Sequence, residues 1–167
     1  MKPMDSVLVK SLHSEHLHFR HLLNEILDED EGERQKWLKS YFHCLSALHR
    51  AEEREILSGL ATVGGLAELI QELTEQHHRL ENSLEQLAEP NGFAPGVDEQ
   101  EQMLLFKQEM DFHFVQEETL CALAQELAPS YLNPSRCQQM IDAFRVTCQK
   151  LLGGGSGHLS LTQPWSR

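Results

Sequence analysis

In the hexapeptide HFVQEE, His113 and Glu117 stand four residues apart, a spacing that puts an imidazole and a carboxylate on one face of a helix. The same pairing recurs as His49 and Glu53 in HRAEE and as His77 and Glu81 in HHRLE. Imidazole nitrogens and carboxylate oxygens together make a donor set for a transition-metal ion, and iron suits the mixture. The chain carries 10 histidines. That enrichment points in the same direction.

These residues interrupt apolar seams with alternating steps of three and four, the pattern of helices that face a common core. The first seam runs Leu12, His16, Phe19, Leu23, Ile26, and the second Leu38, Phe42, Leu45, His49, Ile56, Leu60. The third runs Leu66, Ile70, Leu73, His77, Leu80, Leu84, Leu87, and the fourth Met103, Phe106, Met110, His113, Glu117, Leu120, Ala124, Leu127. Each seam holds one histidine. If successive helices are antiparallel, the rise from each histidine to the next turn and back matches within a few residues, roughly 17–24 Å on every leg. All four imidazoles are therefore expected in one layer. Carboxylates buried at that level need compensating cations.

The elements that would position this layer are all helical. Leucine, glutamate, glutamine and alanine dominate, and there is almost no β-branched alternation. Breaks at Asp28 to Gly32, at the Gly64-Gly65 pair, along EPNGFAPGV and before Pro134 divide the chain into helices near 6–29, 33–61, 65–88, 98–128 and 134–152. Asp98 with Glu101 makes a capping box, and Asn133 before Pro134 makes an N-cap ahead of an N1 proline. The expected fold is all-α: an up-down-up-down four-helix bundle with an additional C-terminal helix. That helix, with Met140, Ile141, Phe144, Val146 and Leu151, is read as an amphipathic strut, with a dimer contact as the second reading. One domain over residues 1–152 and a flexible tail over 153–167 complete the layout.

The order His16, His49/Glu53, His77/Glu81, His113/Glu117 resembles the hemerythrin-like (HHE) cation-binding domains over residues 8–128. The resemblance implies a centre of two non-haem iron ions with an oxo or hydroxo bridge. Glu53 and Glu117 would bridge the metals, with His16, His49, His77 and His113 as terminal ligands. Oxygen-carrying hemerythrins have a second histidine where this chain has Glu81, and HxxxxD where it has HxxxE, so the resemblance is to the broad family. Its HxxxE members are associated with peroxide, nitric oxide or iron handling. Four histidines, two bridging carboxylates and the bridge would leave two coordination positions open, and Glu81 would close one or both. The implied function is binding of, or reaction with, O2, NO or peroxide. The alternatives are an iron-responsive or iron-holding module without turnover, a repair-type protein for damaged iron centres, and a structural zinc or manganese site. No side chain is singled out as catalytic.

In uniform α geometry i+4 lies about 40° from the histidine's direction and i+3 about 60°, which favours Glu53 over Glu52. His13 is the best placed of the remaining histidines for the mouth of the site. The ferritin-like ExxH pattern fits the letters at Glu15/His18 and Glu75/His78, but both histidines point away from the seams.

A formal charge of -12 disfavours nucleic acid and anionic membrane surfaces as partners. No apolar run is long enough to span a membrane, and MKPMDSVLVK does not read as a signal peptide, so a cytoplasmic location is expected. The expected partners are a small diatomic or peroxide ligand, with the chain a monomer or weak homodimer. Cys44, Cys121, Cys137 and Cys148 show no CxxC spacing and are read as free thiols.

Overall fold

The computed structural model describes residues 6–90, 92, 93 and 95–153, and no strand occurs among them. Helix α1 spans Val7–Leu27, and the side chain of its N-cap Ser6 accepts from the amide of Val9. Helix α2 starts at Glu31 with two acidic residues in its first turn, where the helix dipole favours them. It runs as α-helix over Glu31–Ala51, passes through a π-helical turn at Glu52–Leu57 and ends with Ser58–Leu60. Helix α3 covers Ala67–Ala88, α4 covers Glu99–Leu127 and α5 covers Pro134–Leu151. Asp98 caps α4 through the amides of Gln100 and Glu101, and Asn133 caps α5 through that of Arg136. Gly65, at a φ of 87°, makes the left-handed step into α3 that a side chain would resist.

Helices α1 to α4 touch in a ring, α1 on α2, α2 on α3, α3 on α4 and α4 on α1, while α5 lies on α1, α2 and the π turn. Leucines, phenylalanines and methionines of all five helices share one core. The α2 seam differs from expectation near its middle. Tyr41 is fully buried and Phe42 only partly so, because the Tyr41 hydroxyl reaches the carbonyl of Phe19 at 3.1 Å and its ring meets that of Phe19 edge-on. The inward face of α2 therefore follows Tyr41, Leu45, Leu48 and Glu52.

The π turn preserves that face. The amide of Ser58 bonds the carbonyl five residues back, at Glu53, and the four-residue step returns with Ala61 to Leu57. One extra residue in the turn keeps Ile56, Leu57 and Leu60 all in the core. Helix α5 braces it from outside. A Cβ on Gly59 would come within 2.9 Å of the Met140 side chain, and Thr147 donates to Glu55 at 2.8 Å. Met140, Ile141 and Phe144 of α5 are buried, whereas Val146 faces solvent.

The four cysteines are free and buried. Among the described residues, no helix is long and apolar enough to cross a membrane. The tail expected from 153 onward lies, beyond Gly153, outside the described residues.

Candidate metal centre

His16, His49, His77 and His113, one from each of α1 to α4, are buried together in the core. The rings of His49 and His77 stack at 4.0 Å, that of His113 meets His77 edge-on at 4.7 Å, and His16 stacks on Phe114 at 4.1 Å.

Every one of the four rings is held from outside through Nδ1, and always by a residue of another helix. His16 pairs with Glu118 at 2.7 Å, His49 with Glu81 at 2.9 Å, His77 with Glu53 at 2.8 Å and His113 with Gln76 at 2.8 Å. The three carboxylates and the amide oxygen of Gln76 can only accept, so Nδ1 carries the proton and Nε2 of a neutral ring presents its lone pair inward. The two HxxxE motifs of α2 and α3 are thereby exchanged: each glutamate serves the histidine of the other helix.

Two carboxylates complete the interior. Glu52 and Glu117 are fully buried. Oε1 of Glu52 lies 3.4 Å from Nε2 of His16, and its Oε2 lies 3.5 Å from Nε2 of His77. Oε2 of Glu117 is 3.4 Å from Nε2 of His16 and 3.8 Å from Nε2 of His113. Donors at about 2.1 Å from one octahedral ion stand about 3 Å apart when adjacent and about 4.2 Å when opposite, so these separations suit shared metal ions. Two groupings emerge: His49, Glu52, His77 and His113, and His16, Glu52 and Glu117. Glu52 belongs to both.

Six inward atoms have no hydrogen-bond partner: Nε2 of His49, His77 and His113, Oε2 of Glu52, and both oxygens of Glu117. Leaving buried polar groups unsatisfied costs about 1–3 kcal/mol each, more for charged ones, a cost that a bound cation could offset. These buried histidines and glutamates could hold metal.

The electrostatics of the protein without metal show the same tension. Burial and the charge of Glu117 push the Glu52 carboxyl up to about 7, partly offset by His16. Burial would also raise Glu117, but its contact with His16 and the other imidazoles nearby outweigh burial and hold it down at about 2. Burial works against a charge on His16, yet Glu117, Glu118 and Glu52 together raise its pKa well above the ordinary value. His49 is lowered by burial and by the neighbouring imidazoles, and His113 falls to about 3, chiefly through burial.

Sequence reasoning expected His16, His49, Glu53, His77, Glu81, His113 and Glu117 around the ions. The structure brings His16, His49, His77, His113 and Glu117 to the interior, and puts Glu53 and Glu81 behind the rings. Glu52 takes the inward place expected of Glu53, because the inward face of α2 is centred on its i+3 side and the helix leaves α geometry at that residue. Glu118 and Gln76 lie outside the set expected from sequence. Glu118 follows Glu117 in HFVQEE, but no spacing along the chain marks a residue that serves another helix. His13, half-exposed, contacts Glu118 at 3.0 Å. Gln76 in turn donates to Gln116 at 2.6 Å, and a surface recess of about 500 Å³ bordered by Gln76, Arg79, Ser83 and Phe112 ends at His113.

No protein-family model, curated protein or solved structure matches this chain.

Proposed function

We propose that this chain is a hemerythrin-like (HHE) non-haem di-iron protein, an up-down-up-down bundle that binds or reacts with O2, NO or peroxide. The observation that carries the reading is the set of six inward, unpartnered nitrogen and oxygen atoms on His49, His77, His113, Glu52 and Glu117. Two groupings of ligand atoms that share Glu52 suit two ions better than one. His16, His49, His77 and His113 would supply nitrogen, Glu52 would be shared between the two ions, and Glu117 would bind beside His16. Iron there supplies a pair of Lewis-acidic, redox-active ions to which a small molecule can bind.

The chain's own contribution is orientation and exclusion. Glu53, Glu81, Glu118 and Gln76 set the tautomer and angle of each imidazole, and such outer partners raise ligand basicity. Phe114 stacks on His16, and the burial of the site residues keeps bulk water out. A site so enclosed selects small reactants over bulky ones.

Metal analysis with ultraviolet-visible spectra of anaerobic, air-exposed and peroxide-treated protein tests this. Two irons per chain and a ligand-to-metal absorption that changes on exposure are expected. One metal per chain after anaerobic iron reconstitution would refute the di-iron centre. A second reading, an iron-holding or iron-responsive module, draws on the same unpartnered atoms, since metal would order a core that is costly without it. It is recognised by a rise in melting temperature with iron and by spectra indifferent to air, NO and peroxide.

A further inference from the structure

We propose that the two metal positions are unequal: a nitrogen-rich position at His49, His77, His113 and Glu52 that fills first and holds its ion, and an oxygen-rich position at His16, Glu52 and Glu117 that binds its iron more weakly and exchanges it for a hard divalent cation such as Mn(II). The inference rests on the two-metal reading above and adds an order of filling and a preference of ion.

The donor sets carry it. Three imidazoles converge on the first grouping and one on the second. Imidazole nitrogen favours ions toward the copper and zinc end of the first transition row, whereas carboxylate oxygen suits manganese and other hard ions. In the first position the rings of His49, His77 and His113 are mutually packed and fixed through Nδ1, so three nitrogens are already aimed at one point. In the second, His16 provides the single nitrogen and the remaining donors are oxygens of Glu52 and Glu117.

The shared carboxylate makes the order sequential. Glu52 turns Oε2 toward His77 and Oε1 toward His16, so an ion in the first position draws electron density from the group the second one needs. Like charge across that bridge weakens the second ion further. Three protein side chains around the second ion hold it by fewer protein bonds than the first, so it exchanges more readily.

Anaerobic titration of the full, metal-free chain distinguishes the positions, with Co(II) followed by its visible bands and Mn(II) by electron paramagnetic resonance. The first Co(II) equivalent is expected to bind at least about tenfold more tightly than the second, the difference following from donor class. Protein carrying one Co(II) should then take up one Mn(II) without releasing cobalt. His16→Gln should abolish the Mn(II) uptake and leave the first Co(II) affinity within about threefold of wild type, because its donors are untouched. Two Co(II) equivalents of equal affinity, or equal loss of both in His16→Gln, would overturn the inequality while leaving the two-metal reading standing. Failure of the unaltered chain to bind either ion would overturn both.

Discussion

Glu52 and Glu53, adjacent in the chain, stand on opposite sides of the same imidazole: Oε2 of Glu52 is 3.5 Å from Nε2 of His77, and Oε1 of Glu53 is 2.8 Å from its Nδ1. One faces the interior and the other holds the ring from behind, so their removal should have different consequences. Glu52→Ala is expected to lower bound metal at both positions. Glu53→Ala should keep the metal count and weaken affinity by about ten- to a hundredfold, the usual effect of losing an outer partner. Metal content after dialysis at fixed free metal reads the difference, and the opposite ranking would return Glu53 to the bridging role.

Glu81 has the same relation to His49. Glu81→Ala should speed metal loss while leaving azide affinity and the ligand-to-metal absorption near wild type, since no coordination position is vacated. Glu81→Gln retains an acceptor for Nδ1 and should recover most of the affinity. Tighter azide binding in the alanine variant would identify Glu81 as a ligand.

Stability should fall on the alkaline side in the metal-free protein and not in the metal-bound one. Burial opposes protonation of His16 and His77, but the surrounding carboxylates outweigh it and raise both above 6.5, while Glu52 rises from 4.5 to about 7. A raised group stabilises fully below its unfolded pKa, and that contribution is lost as pH climbs through the folded value. His49 and His113 are lowered by burial, so their contribution is lost as pH falls below 6.5. The metal-free protein should therefore melt highest between about pH 6 and 7 and lose stability on the alkaline side. Metal takes the place of those protons and should remove the alkaline fall. Scanning calorimetry of both forms from pH 5 to 9 checks this, and parallel profiles would contradict it.

Tyr41→Phe separates fold from site. It removes the hydroxyl bond to Phe19 and should cost about 1 kcal/mol, the net worth of a buried hydrogen bond. Metal content should not change, because the bond removed runs to the backbone of Phe19 and not to a metal-site residue. Denaturant unfolding and metal analysis of one preparation give both numbers.

Local signals carried the helices well. The Asp98 and Asn133 caps start α4 and α5 where their chemistry predicts, and the expected ends of the helices fall within about two residues of those observed. Seam periodicity also led to His16, His49, His77 and His113, because a polar residue in an apolar stripe is conspicuous. Three things were not legible. The choice between Glu52 and Glu53 depends on the centre of the inward face to within a fraction of a turn. That centre was displaced by the burial of Tyr41, a tyrosine whose hydroxyl finds its partner on another helix. The partners of the imidazoles lie across helix interfaces, as with Gln76 and His113, and no spacing along one helix reports them. A uniform α template hid the π turn as well.

The four Nδ1 contacts also bear on conformational entropy. Immobilising a mobile side chain costs about 0.5–1.5 kcal/mol, so ordering four imidazoles at the moment of capture would take roughly 2–6 kcal/mol from the binding free energy. Here Glu118, Glu81, Glu53 and Gln76 fix the rings when the helices assemble. The disorder is surrendered during folding, and an arriving ion meets nitrogens that are already waiting.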